Sequence, residues 1–178
     1  MFAVTPSILD VLSLLTYSTD YPELKRVILG GETLSQRLIE GWSSANVDFW
    51  IAYGPTEAIC TILTGLLQAD RKTGRYHTTR LGQSIPNSTI TLVDENLQEV
   101  SDIGIEGEIF VSGYCLAEGY WGDERLTETK FIQYQNDRIY RIGDIAKWVI
   151  TESGSRMLEF LGRRDRITKI RGFLVNLS

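Results

Sequence analysis

Phe49-Trp50-Ile51-Ala52-Tyr53-Gly54-Pro55-Thr56-Glu57 joins a dense apolar run to a Gly-Pro step. The run is short, which predicts a buried strand. The Gly-Pro step ends that strand and turns the backbone. At the turn three chemically different groups stand close together: the Tyr53 phenol, the Thr56 hydroxyl and the Glu57 carboxylate. A flat ring can stack on a nucleobase, and a hydroxyl can donate to a phosphate oxygen. A hard carboxylate can hold Mg2+ or its water shell. The same residues would serve equally as a strand-ending turn with a solvated Glu, so the wider chain has to decide.

Outward from this stretch, residues 1–75 alternate helix and strand. Thr5-Pro6 predicts a helix start, with Thr5 as N-cap and Pro6 at the first helical position. Ile8, Leu9, Leu12 and Leu15 then fall on one face, and Asp20-Tyr21-Pro22 breaks the chain. Arg26-Val27-Ile28-Leu29 reads as a buried strand ending at Gly30-Gly31, and Ser35 can cap a second helix with the apolar stripe Leu38, Ile39 and Trp42. The β-branched run 59–64 predicts a further strand. Strand–helix–strand order implies a parallel, covered sheet.

Residues 65–80 are polar, with a loop at Asp70-Arg71-Lys72-Thr73-Gly74. Beyond them short strands alternate with turns, at 89–93, 108–111, 145–150 and 157–161, interrupted by one short helix at about 124–130. This pattern predicts a small barrel or sandwich. No Pro/Gly/Ser-rich tether is present, so the change near residue 80 reads as a subdomain seam. The expected fold class is therefore α/β plus β, divided at 1–80, 81–161 and 162–178.

The 178 residues are 43% hydrophobic, enough for the core of one ordinary domain. A net charge of −5 with both signs interspersed argues against nucleic acid as a partner. No apolar run reaches the ~20 residues of a membrane helix, and no charged-then-apolar leader opens the chain. Cys60 and Cys115 lack metal or redox spacing, which suits free thiols in a reducing cytoplasm. His77 is the single histidine, with no Cys or acid partner nearby in sequence, and reads as structural or solvated.

Five stretches, taken together and in order, resemble the adenylate-forming enzymes. Tyr53-Gly54-Pro55-Thr56-Glu57 is that family's most recognisable motif. Gly30-Gly31-Glu32 resembles its GGE. Gly107-Glu108-Ile109-Phe110-Val111-Ser112-Gly113 through Leu116-Ala117-Glu118-Gly119-Tyr120 resembles its GEL-x-x-x-G and LA-x-GY. Tyr140-Arg141-Ile142-Gly143-Asp144 resembles its Y-(R/K)-T-G-D. Gly162-Arg163-Arg164-Asp165, followed by Lys169-Ile170-Arg171-Gly172-Phe173, resembles its GR-x-D and KIRGF. The resemblance covers essentially the whole chain and implies α/β subdomains packed on a distorted β-barrel, followed by a hinged C-terminal lid.

The resemblance implies ATP-dependent activation of a carboxylate, with Mg2+, and transfer of the acyl group to a phosphopantetheine thiol. Within the family, Leu126-Thr127-Glu128-Thr129-Lys130-Phe131 and the KIRGF stretch resemble nonribosomal peptide synthetase adenylation domains. An amino-acid substrate and a peptidyl carrier partner are then implied. By resemblance Tyr53 stacks on adenine, Thr56 contacts phosphate and Glu57 holds Mg2+. Gly30, Gly31 and Glu32 approach the nucleotide, the two glycines without an intruding Cβ. Asp144 takes the two ribose hydroxyls, Arg163 lies near the ribose, and Phe160 replaces a common Tyr beside the nucleotide. Asp165 is the hinge, and Lys169 approaches the site in the thiol-transfer state. Ala3, Ile28, Gly30, Ala52, Cys60 and Thr61 align with the substrate pocket, where small residues at 30 and 52 leave room for a bulky apolar acid. Ile51 replaces a common Asn, removing one adenine contact.

The Ser/Thr/Gly-rich loop ending in Lys, by which the family grips the β/γ-phosphates, is not in this sequence. Neither is the lid that carries a late catalytic Lys. The expectation is an internal piece of a larger synthetase domain, with little adenylation activity alone. A piece of an acyl- or aryl-CoA ligase, or a non-catalytic binding remnant, is the alternative.

Overall fold

The apolar run is β3 (Asp48–Tyr53), and the first sheet is built outward from it. β1 (Phe2–Val4) and β2 (Arg26–Gly30) lie on one side, all three strands parallel. β4 (Leu63–Leu66) and β5 (Gln83–Ser84) extend the sheet antiparallel on the other side. The structure, a computed structural model, describes residues 1–15, 20–42 and 47–164, with the backbone of 167–170 and 173–176. Parallel strands need crossover connections, and α1 (Pro6–Leu12) and α2 (Gln36–Trp42) lie on them. Strand alternation sorts the side chains. Val27, Leu29, Phe49 and Ile51 are buried in one cluster with Leu9, Leu38, Ile39 and Trp42. Burying each such side chain contributes about 1.5–3 kcal/mol.

Ser35 caps α2 as expected, its Oγ accepting the Leu38 N–H at 3.2 Å. α1 is capped differently. Thr5 makes no side-chain cap bond. Glu32 instead accepts both the Ser7 N–H and the Ser7 hydroxyl, each at 2.9 Å. The apolar face expected on α1 is only partly buried, because the helix stops at Leu12 after two turns. Leu9 is fully buried, while Ile8 and Leu15 are exposed.

The strand expected over 59–64 is a correction. Thr56–Ala58 forms a 3-10 turn, and Ile59 and Cys60 follow with φ of 57° and 63°. The Ala58 and Cys60 N–H groups both donate to the Pro55 carbonyl. Pairing resumes only at Ile62, whose N–H donates to Tyr53 O at 2.8 Å. A β-branched residue is rarely left-handed, so the tight return onto β3 overrides the propensity of the Ile-rich run.

The second sheet is antiparallel: β6 (Ser88–Val93), β7 (Glu106–Gly113), β8 (Phe131–Tyr134), β9 (Asp137–Ile150) and β10 (Arg156–Arg163). β9 is long enough to pair with β7 along one edge and with β8 and then β10 along the other. Register shifts in β7/β9 and β9/β10 accompany its curl into a half-barrel. α3 (Glu124–Lys130) precedes β8 and is capped by Asp123, whose Oδ1 accepts the Leu126 N–H at 2.9 Å. The expected α/β layer followed by a barrel-like β layer is thus present. β11 (Ile167–Ile170) and β12 (Phe173–Asn176) form a separate antiparallel pair. Among the described residues no helix is long and apolar enough to cross a membrane.

The two sheets share a core and a strand-like seam. Ala58, Ile62, Leu63 and Leu81 pack with Leu92, Ile109, Tyr140 and Leu158 in one cluster. Leu81 N–H donates to Leu158 O and Phe160 N–H to Thr79 O, after which Gln83 pairs with Thr64. Between these contacts Gly82 has φ +87°, and a Cβ there would stand 2.2 Å from Thr64 O. Gly82→Ala should therefore destabilise the fold by at least about 2 kcal/mol, combining backbone strain with a backbone clash. An unchanged thermal unfolding midpoint would refute this.

Candidate functional site

The site forms where β9 departs from regular pairing. Arg141 lies opposite Phe110 and Ile145 opposite Glu108, so residues 142–144 stand against Ile109 alone. Gly143 takes φ +82°, the left-handed conformation such an irregularity needs. A bulge re-aims the side chain beside it, here Asp144, which is only 6% exposed. Its Oδ2 accepts the Tyr53 hydroxyl at 2.5 Å, and its Oδ1 accepts Arg163 Nη1 at 3.0 Å. Register explains the second bond, since Arg163 on β10 lies directly opposite Asp144. Phe160 sits beside the pair, its ring centroid 6.3 Å from that of Tyr53. Burial, and then the Asp144 charge and hydrogen bond, push the Tyr53 phenol up, so it remains a donor.

A second buried carboxylate braces the bulge from the other face. Glu108 accepts from Arg141 Nη2 at 2.7 Å and from Arg164 Nη1 at 3.2 Å. Arg164 also donates its backbone N–H to Gly143 O at 2.8 Å. The chain leaving β10 is thereby held against the bulge, next to Arg163.

Glu57 lies on the 3-10 turn after β3 and is half-buried, while Thr56 beside it is exposed. Glu57 Oε1 accepts the Tyr120 hydroxyl at 2.5 Å, and the Tyr120 and Tyr140 hydroxyls lie 3.2 Å apart. Ala117 N–H donates to the Glu57 carbonyl at 2.8 Å. Burial alone would raise the Glu57 pKa. Hydrogen bonds, foremost from Tyr120, outweigh burial and hold it below the ordinary 4.5. Glu57 is therefore an ionised hard-oxygen donor with acceptor capacity beyond the Tyr120 bond. That donor type fits Mg2+, which one or two carboxylates plus substrate phosphates commonly hold.

The expected pocket residues fall largely on one sheet face. Ala3 pairs with Ile28 and Gly30 with Ala52 in register, on alternate positions to the buried Val27, Leu29, Phe49 and Ile51. Gly30 lies so close to β3 that a Cβ would stand 2.4 Å from Ala52 O. Thr61 is partly buried, and Cys60 is exposed on the left-handed turn. Gly31 has φ +81° at the end of β2, and the Glu32 carboxylate caps α1. Both Glu32 carboxylate oxygens thus accept from Ser7. Lys169 lies on the backbone of β11, and the expected hinge Asp165 lies outside the described residues.

His77 has acid neighbours that its local sequence did not reveal. Ligand atoms of Asp70, His77 and Glu152 lie within 4.8 Å of one another. Both acids are already engaged: Asp70 Oδ1 accepts the Lys72 and Thr73 N–H groups, and Glu152 pairs with Arg71 Nε at 3.1 Å.

Three residues at the site escaped sequence reasoning. Tyr120 closes one quoted motif and Tyr140 opens another, and their place inside both motifs was the available signal. Trp50 shares the pocket face with Ile28, its partner in register, and period-two alternation with Ala52 would have included it. Its Nε1 is buried without a hydrogen-bond partner among the described residues.

Residues 1–121 match the family described as AMP-binding enzyme. The chain is 56% identical to the nonribosomal peptide synthetase echPS of Aspergillus ruber and covers 9% of that protein's length. It is 40% identical to the nonribosomal peptide synthetase gliP of Aspergillus fumigatus, covering 8% of it. In both comparisons essentially the whole of this chain is matched, 100% and 99%. Among solved structures it is similar to PA1221, an NRPS protein containing adenylation and PCP domains (27% identity, TM-score 0.78, 98% of this chain and 35% of that one). It is also similar to the Vibrio cholerae adenylation domain AlmE in complex with glycyl-adenosine-5'-phosphate (26% identity, TM-score 0.80, 99% of this chain and 33% of that one).

The lowered Glu57 pKa has a consequence for stability. A carboxylate held below its ordinary value stabilises the fold above 4.5, and the contribution is lost as pH falls through the folded value. The gap in unfolding free energy between the native chain and Glu57→Gln should therefore be present at neutral pH and shrink on acidification. A gap independent of pH would refute the assignment.

Proposed function

Because this chain belongs to the AMP-binding enzyme family, we propose that it supplies the nucleotide-handling face of a nonribosomal peptide synthetase adenylation domain. The reaction joins an amino-acid carboxylate to AMP. A carboxylate oxygen attacks the α-phosphorus of ATP, the bond to the bridging oxygen breaks, and pyrophosphate leaves. A carrier-bound phosphopantetheine thiol then attacks the acyl carbon, forming the thioester and releasing AMP and a proton.

Such chemistry needs in-line positioning and charge compensation more than proton transfer. The reading rests chiefly on Asp144, presented by the bulge between Tyr53 and Arg163. Its two oxygens suit a ribose diol. Tyr53 and Phe160 offer aromatic surface for adenine, and the Arg163 fork suits ribose or phosphate oxygens. Thr56, exposed on the adjoining turn, would donate to phosphate. Glu57 would hold Mg2+, which when bound neutralises charge on the departing pyrophosphate. Relatives named as synthetases, and solved neighbours named for adenylation and PCP domains, support amino-acid substrate and carrier partner over a CoA ligase.

In the full-length polypeptide that carries this sequence, Asp144→Asn should lower kcat/KM for ATP in amino-acid-dependent pyrophosphate exchange by about 10- to 100-fold, the range of one lost hydrogen bond to a charged group. Unchanged exchange would overturn the site. Gly30 and Ala52, paired in register, carry nothing larger than a methyl group, so we propose a bulky, mainly apolar amino acid. The same exchange assay with an amino-acid panel should favour such side chains, and a preference for glycine or aspartate would refute this.

A further inference from the structure

We infer that Tyr120 is a positioning residue that fixes the Glu57 carboxylate for metal binding, with Tyr140 as its support. The inference deepens the role proposed for Glu57 and rests on it. Glu57 sits on a half-exposed turn, where an unrestrained Glu would sample several rotamers. Ordering such a side chain costs rotamer entropy. The Tyr120 hydroxyl, 2.5 Å from Oε1, restricts the carboxylate before any ligand arrives and leaves lone pairs available on it.

Tyr120 is itself held from several directions. Its N–H donates to Thr127 Oγ1 on α3 at 2.9 Å. Its ring packs edge-on against Phe131, with centroids 5.8 Å apart, and Phe131 packs on Tyr140 at 4.8 Å. Tyr140 is buried on β9, and its hydroxyl lies 3.2 Å from that of Tyr120. The backbone bond from Ala117 to Glu57 ties the same loop to the turn a second time. The phenols are thus outer-shell groups: they touch the proposed metal ligand, and their positions are set by packing.

Outer-shell partners typically change metal affinity by about 10- to 100-fold when removed. The test is Mn2+ binding to the full-length polypeptide that carries this sequence, in the presence of a non-hydrolysable ATP analogue. The readout is the free-ion EPR signal, which needs no turnover. Tyr120→Phe retains the ring and its packing and should weaken the nucleotide-dependent Mn2+ site about 10-fold; Tyr140→Phe should weaken it less. Binding affinity is read on the folded fraction, so partial loss of stability does not mimic the effect. If Glu57→Gln weakens Mn2+ binding and Tyr120→Phe does not, the positioning role is overturned while the Glu57 reading stands. If Glu57→Gln also binds Mn2+ like the native protein, the Glu57 assignment is what fails, and the positioning role falls with it.

Discussion

A buried carboxylate is tolerated only when charge and hydrogen bonds compensate for the water it has lost. Asp144 imposes that requirement on the whole molecule. Its compensation comes from both halves: the Tyr53 hydroxyl from the end of the first sheet, and the Arg163 guanidinium from the last strand of the second. The two layers therefore have to dock for Asp144 to find both partners where it is buried. The core that docks them is apolar, with Ile62 and Leu63 packed against Ile109 and Leu158. Hydrophobic burial supplies the driving force, while the carboxylate restricts which docking is acceptable.

Glu57 follows the same logic with weaker burial. It leaves the first sheet on a strained turn, and its partners come from the loop before α3 and from β9. Glu108 braces the bulge from the opposite face through Arg141 and Arg164. By contrast, the exposed Arg71–Glu152 pair contributes little, since water screens it and two long side chains must be ordered to form it. The polar interactions that matter here are the buried ones gathered around the bulge, and they involve residues of the ordered motifs.

Much of the local structure was legible. β2 and β3 were visible as short apolar runs, α2 from its Ser35 cap and 3.6-residue stripe, and the antiparallel half from short strands separated by turns. The misreadings share a cause. Residues 59–64 have strand propensity, yet the return onto β3 forces Ile59 and Cys60 into left-handed backbone. Thr5 is a good N-cap by type, yet Glu32 supplies the cap to α1 from 25 residues away. In each case a contact distant in sequence or a tight closure outweighed a preference of only a few tenths to about 1 kcal/mol.

By itself the sequence determined which chemical groups were available, in what order, and which short segments would be strand or helix. These depend on residue type and on periodicities of a few residues, so they can be read along the chain. The tertiary structure decided which groups meet. Tyr53 reaches Asp144 across 91 positions, and Tyr120 reaches Glu57 across 63. The first meeting depends on strand register and on the extra residues in β9; the second depends on the loop before α3 closing onto the 3-10 turn after β3. A shift of one residue in register would reverse the faces on which Tyr53 and Asp144 stand. Asp144 could be named as a candidate from its motif, a local pattern, while Tyr120 and Tyr140 became visible as partners of Glu57 only once loop, turn and β9 came together in the folded chain.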